Sequence, residues 1–141
     1  MKFNSQICTT REQSERLLAL GLKKETADIV HYFSQSLAQD WTIVPLADGE
    51  TARYIQGLAI PAWSLHRLIE MMPENVSDDW LGVSFDEVSY YHGAGEGMIG
   101  WKYYKVGNLY DCMVKCYEWL IKEGYFNKEY LQEQAGSSRE E

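Results

Sequence analysis

Residues 108–124, Asn-Leu-Tyr-Asp-Cys-Met-Val-Lys-Cys-Tyr-Glu-Trp-Leu-Ile-Lys-Glu-Gly, constrain the fold more than any other stretch. Leu109, Cys112, Met113, Cys116 and Leu120 recur every three or four residues, which is the period of a single apolar helix stripe. Asn108 stands where an N-cap belongs, and Asp111 takes the acidic position of a capping box. Gly124 falls where a left-handed residue ends a helix, with Lys122 in the last turn. Such a stripe has to be buried against another element, and the aromatic-rich segment just before it is the nearest candidate. The expectation is an α+β fold: a small antiparallel sheet of two to four strands packed against about three main helices.

That preceding segment, residues 80–106, reads as β structure. Leu81, Val83 and Phe85 alternate with Gly82 and Ser84, as in a half-buried strand. Beyond Asp86 and Glu87 the parity passes to Val88 and Tyr90, which predicts a bulge or tight turn there. Ile99, Trp101 and Tyr103 alternate with Gly100, Lys102 and Tyr104 in a further strand, and the glycine-rich run from His92 to Gly97 suits the connection between them.

Elsewhere, Thr9 followed three residues later by Glu12 predicts a helix start, Leu17, Leu18 and Leu20 its apolar side, and Gly21 its end. A second short helix is expected over residues 24–29. Gly21, Leu22, Ala27 and Val30 then give a partial helix-turn-helix pattern. Lys23 and Lys24 are its only polar readers, without the Arg, Asn or Gln cluster that base-edge reading relies on, so two packed helices are favoured. Residues 41–44 read as a strand that Pro45 places at an edge or an end. Asp48 and Gly49 mark a turn, while residues 34–40 and 52–57 show no period. Pro61 suits a first helical position, Leu65, Leu68, Ile69 and Met72 make a stripe, and Pro73 closes it. Asn127 caps a last short helix carrying Tyr130 and Leu131. Residues 1–131 are therefore expected to be one domain, followed by a polar, disordered tail over 132–141.

Composition narrows function mainly by exclusion. The 141 residues suffice for a real core without disulfides or metals, and at 45% hydrophobic and 24% charged the chain is not globally disordered. No apolar run reaches the roughly 20 residues that span a bilayer, and the N-terminus lacks a signal-peptide core, so a cytoplasmic protein without a membrane partner is expected. Net charge is −8. Between Leu68 and Trp101 there is no Lys or Arg, while Glu70, Glu74, Asp78, Asp79, Asp86, Glu87 and Glu96 all occur there. Phosphate backbones repel such a surface, so nucleic-acid binding is disfavoured. An acidic rim keeps a protein soluble; it also suits a basic partner.

Chemical motifs are sparse. Gly95-Glu-Gly-Met-Ile-Gly100 matches the letters of the dinucleotide fingerprint, but a strand-like aromatic run follows where a helix has to open. Phosphate loops, nucleophile elbows and His-Glu-x-x-His are missing. Cys112 and Cys116 lie on a buried stripe, away from any base, and Cys8 stands alone. His66 and Glu70 make a solvent-facing pair one turn apart. The expectation is no catalytic residue, no cofactor and no metal. The aromatics are more informative: strict alternation can bury only one set of Tyr90, Tyr91, Trp101, Tyr103 and Tyr104. The rest face outward, as interface anchors do. Those five residues, together with Asp78, Asp79, Asp86, Glu87 and Glu96, form the candidate contact surface.

Three segments add a resemblance. These are Thr-Thr-Arg-Glu-Gln-Ser-Glu-Arg-Leu-Leu-Ala-Leu-Gly with Glu-Thr-Ala-Asp following, Ile-Pro-Ala-Trp-Ser-Leu-His-Arg-Leu-Ile-Glu-Met-Met-Pro, and Asn-Leu-Tyr-Asp-Cys-Met-Val-Lys-Cys-Tyr-Glu-Trp-Leu-Ile-Lys-Glu-Gly-Tyr. In that order they resemble small uncharacterised proteins encoded by phages and other mobile elements of gut bacteria. The resemblance implies a setting, an accessory protein of a mobile element, and carries no chemistry. The expected function is a non-enzymatic interaction module that binds a basic protein or a second copy of itself. The alternatives are a small hydrolase or nucleotide-binding enzyme using His92, and a DNA-binding regulator using Lys23 and Lys24; no small-molecule ligand is specified.

Overall fold

The structure is a computed structural model; it describes residues 5–34, 40–46, 59–84, 87–91, 101–104 and 108–133, with the backbone alone at 34 and 101–104. The expected turn at Asp48 and Gly49, the glycine-rich run from His92 to Gly97 and the tail beyond residue 133 lie outside the described residues. Internal contacts divide the chain into two compact units, Met1–Glu70 with Lys128–Glu141, and Met71–Asn127. Along the sequence, the second unit interrupts the first.

In the first unit, helix α1 spans Arg11–Ala19. Its cap is Thr10, not Thr9: the Gln13 N–H donates to Thr10 Oγ1 at 3.0 Å, and the Thr10 N–H donates to Gln13 Oε1 at 2.9 Å. The capping box therefore lies one residue later than Thr9 and Glu12 suggest. Thr9 is engaged in the core instead, donating its N–H to the Trp63 carbonyl at 2.9 Å and accepting the Trp63 N–H on Oγ1 at 3.1 Å. Gly21 ends the helix with φ 104°, and the Gly21 and Leu22 N–H groups return to the Leu18 and Leu17 carbonyls in a Schellman pattern.

The expected second helix is one 3-10 turn, Lys24–Thr26. The next residues form strand β1, Ile29–Ser34, the centre of a three-stranded antiparallel sheet with β2, Asp40–Pro45, and β3, Ala59–Ala62, on its two sides. This removes the helix-turn-helix reading. The physical cause is the run Ile29, Val30, Tyr32, Phe33, whose β-branched and aromatic side chains favour a pleated surface once Ala27 is passed. Pro45 ends edge strand β2 as expected. Pro61, expected to open a helix, lies in edge strand β3 opposite Val30, where its missing N–H breaks no inner ladder. Helix α2 starts four residues later, at Leu65–Met71, and Ser64 caps it by accepting the Arg67 N–H on Oγ at 3.1 Å. Leu68, Met71 and Met72 are buried; Leu65 and Ile69 are half-buried. The unit closes with a 3-10 turn, Lys128–Tyr130, and a bridge between Leu131 and Leu22. The last short helix of the sequence reading is this single turn.

The second unit is a four-stranded antiparallel sheet and one helix. Its strands, in spatial order, are β4, Asn75–Val76; β5, Asp79–Ser84; β6, Glu87–Tyr91; and β7, Trp101–Tyr104. Ser84 pairs with Glu87, so the strands on either side of the expected bulge or tight turn are antiparallel partners; Phe85 and Asp86 themselves lie outside the described residues. Helix α3, Leu109–Lys122, packs against β6 and β7. Asn108 caps it by accepting the Asp111 N–H at 3.2 Å. Gly124, at φ 82°, forms a second Schellman end, with the Tyr125 and Gly124 N–H groups on the Leu120 and Ile121 carbonyls. Cys112, Met113, Cys116 and Leu120 are fully buried, and Val114 and Tyr117 join them, so the stripe is wider than its periodicity suggests. The fold is α+β, with three α-helices and two small antiparallel sheets among the described residues.

Candidate interaction surface

Strand alternation gives the four-stranded sheet two unlike sides. Directly opposed residues of an antiparallel pair share a face. The register therefore groups Val76, Asp79, Leu81, Val83, Val88 and Tyr90 on one side, and Asn75, Trp80, Gly82, Ser84, Glu87, Ser89 and Tyr91 on the other. The first side meets α3. Tyr90 is 0% exposed, its ring centroid lies 5.9 Å from that of Trp119, and its hydroxyl donates to the Pro73 carbonyl at 2.7 Å. Burial, with a lesser effect from Cys116, pushes the Tyr90 phenol well above its ordinary range. Burial likewise pushes the Cys116 thiol upward.

The second side carries Trp80, 53% exposed, directly opposite Tyr91, 49% exposed. Gly82 explains how Tyr91 lies. A Cβ added at Gly82 would come within 2.7 Å of Tyr91 Cε1 and 3.4 Å of Ser89 Oγ. The tyrosine ring thus leans along the sheet over the glycine and beside Ser89, which is only 5% exposed although it belongs to the outward side. Before Trp80 the β4 to β5 hairpin turns at Ser77, whose φ of 56° is the left-handed value that primed turns require, and the next residue, Asp78, is exposed.

The candidate contact residues therefore separate. Tyr91 and Asp78 are exposed, and Glu87 is half-buried on the outward side. Tyr90 belongs to the core under α3. Asp79 is 1% exposed and is also removed from the solvent-facing set. Trp101, Tyr103 and Tyr104 pair in register with Tyr90, Val88 and Glu87; their side chains, and all of Asp86, Glu96 and His92, lie outside the described residues. Trp80 is the addition. Its parity with Gly82 and Ser84 marks it as outward, one residue ahead of the alternation that starts at Leu81.

One juxtaposition in the first unit joins residues that carry chemistry. Cys8 Sγ lies 3.9 Å from His31 Nε2, which lies 2.8 Å from the Thr9 carbonyl oxygen. A carbonyl only accepts, so Nε2 carries the hydrogen and is not a base toward the thiol. Burial, and secondarily the charge of Asp28, push the Cys8 thiol up to about 12. It stays protonated at neutral pH and does not act as a nucleophile. Asp28 itself accepts the Ser64 N–H at 2.9 Å and the Ser64 hydroxyl at 2.6 Å, while Arg67 Nε donates to the Thr26 carbonyl at 2.9 Å. Trp63 Nε1 donates to Thr26 Oγ1 at 2.9 Å. These groups brace β1, α2 and the 3-10 turn together. His66 and Glu70 form the expected exposed pair, 3.6 Å apart.

Among the described residues no three His, Cys, Asp or Glu side chains gather in a way that could hold a metal ion, and no helix is long and apolar enough to cross a membrane. No protein-family model, curated protein or solved structure matches the chain.

Proposed function

We propose that this chain is a non-enzymatic protein-interaction module whose contact surface is the outward side of the four-stranded sheet. The supporting observation is the exposed cross-strand pair of Trp80 and Tyr91. Large aromatics opposite one another on a rigid sheet lose little conformational entropy on binding, and residues of this kind dominate interface energetics. Asp78 beside them, and the net charge of −8, favour a basic protein as partner. The resemblance of three segments to mobile-element proteins suggests a bacterial host or phage protein as that partner. All three cysteines are buried reduced thiols, which suits the reducing cytoplasm.

The test is affinity capture from host lysate, comparing the wild-type chain with the double variant Trp80→Ala, Tyr91→Ala, and sedimentation of both. A basic protein retained at stoichiometric amount by the wild-type chain, released by salt and lost with the variant is the expected result. Equal recovery by a folded double variant, or a wild-type chain that sediments as a monomer and retains nothing, removes the reading.

A further inference from the structure

We infer that Tyr91, Gly82 and Trp80 form a shelf for one cationic side chain, Arg or Lys, of an extended segment of a partner protein. The inference rests on the interaction reading above and names the chemistry of its contact. Three observations carry it. The first is the glycine: with no Cβ at position 82, the Tyr91 ring settles along the sheet over Gly82 and beside Ser89, and any side chain there would lift it, since a Cβ falls 2.7 Å from Cε1. One side of the ring is thus taken up by the sheet, and the other is left to solvent at 49% exposure. A ring face of that kind attracts a guanidinium or ammonium group through its quadrupole, and a flat guanidinium also stacks on it.

The second observation is Trp80. It stands directly opposite Tyr91 on β5, so the two exposed side chains share one face of the sheet and provide more apolar area for the stem of a long basic side chain. The third is charge. Asp78 is exposed in the turn two residues before Trp80, and Glu87 stands on the same outward side; the register sets one base against them there, Lys102 opposite Ser89, so among the described residues this side keeps an acidic excess. An anionic ligand is repelled from such a surface, and a second copy of a chain with net charge −8 would bring like charge against like. A cationic segment meets attraction instead.

The probe is a short oligoarginine peptide titrated against the full-length chain at low salt and followed by calorimetry, with oligoglutamate as control. Binding of the oligoarginine alone is expected. The charge-neutral double variant Trp80→Leu, Tyr91→Leu should weaken it about tenfold, the range of two ring contacts with a cation. Gly82→Ala keeps both rings yet lifts one, and is expected to weaken binding several-fold while thermal unfolding stays cooperative. Tyr91→Phe retains the ring face and should bind like wild type, which separates ring recognition from a folding defect. Unchanged affinity in the double variant and in Gly82→Ala overturns the shelf while leaving a general acidic-surface interaction standing. Failure of the wild-type chain to bind oligoarginine at low salt overturns the shelf outright, and the lysate capture then decides the broader reading separately.

Discussion

The two units of this chain solve the same problem in different ways. In the second, α3 buries Cys112, Met113, Val114, Cys116, Tyr117 and Leu120, and the sheet answers with Val88 and Tyr90. Its core is apolar, and one continuous helix supplies six of its fully buried side chains. In the first, the fully buried Trp63 is surrounded by hydrogen-bonding groups: Thr9 takes both of its backbone groups, Thr26 takes its indole N–H, and Ser14 Oγ lies 2.8 Å from Thr9 Oγ1. Buried polar groups cost free energy unless each has a partner, and none of the described buried side-chain N or O atoms lacks one. An apolar core tolerates changes of shape; a hydrogen-bonded core depends on specific atoms.

Alkaline pH is expected to produce the largest effect, and it touches both units. Cys8 in the first has its folded pKa raised from 9.0 to about 12, and burial raises Cys116 and Tyr90 in the second. The unfolded chain therefore releases these protons first and binds fewer of them at alkaline pH. The stability they contribute is complete below pH 9.0 and is lost as pH rises toward about 12 in the case of Cys8, at about 1.4 kcal/mol per pH unit for each group. Urea midpoints measured from pH 8 upward should hold to about pH 9.0 and fall steadily above it, and Cys8→Ser should flatten the part that belongs to the first unit. A midpoint independent of pH through that window contradicts the buried-thiol account.

Side-chain truncation tests the contrast itself. Trp63→Ala is expected to cost about 4 kcal/mol and Leu120→Ala about 3 kcal/mol, both through cavities. The sharper comparison uses a change that removes no volume. Thr9→Val leaves the Trp63 N–H and the Ser14 hydroxyl short of a partner and should cost about 2 kcal/mol. If chemical denaturation shows Thr9→Val to be neutral, the distinction between the two cores does not hold.

The helix ends differ by the least. Nothing lies within 4 Å of a Cβ built on Gly21 or Gly124, so Ala at either site suffers only backbone strain. At φ 82°, Gly124→Ala should cost about 1 kcal/mol. At φ 104°, Gly21 lies further from any well open to an L-residue, so Gly21→Ala should cost more, about 1.5 kcal/mol. Equal melting temperatures for the two variants would show that the difference in φ has no energetic weight.

What could be read beforehand follows the same division. The α3 segment was legible from cap to Schellman glycine because helix periodicity, capping and termination are local and repeat the same message. The pairing of β5 with β6 is legible from alternation, although Trp80 lies just ahead of the alternating run. The first unit was misread where tertiary contacts outweighed local signals. Thr9 has the chemistry of a cap, yet it is held by Trp63, 54 residues away in sequence. Pro61 has the φ of a first helical residue, yet it pairs with Val30 at a sheet edge. The candidate surface divided in the same manner: alternation showed that some aromatics face outward, but it did not show which.

The sequence alone determined the α+β class, the extent and ends of α1 and α3 to within a residue, the acid-rich stretch before Trp101, and the outward display of part of its aromatic set. Each of these rests on periodicity, composition or the conformational freedom of glycine, properties that a residue carries into any fold. Tertiary structure alone decided that the strands of the described residues form two sheets, that Asp79 and Tyr90 are interior while Trp80 and Tyr91 are not, and that the Tyr91 ring leans over Gly82. Those outcomes depend on which strands pair and in what register. Register is a choice among long-range alternatives, and its energy is spread over residues far apart in the chain.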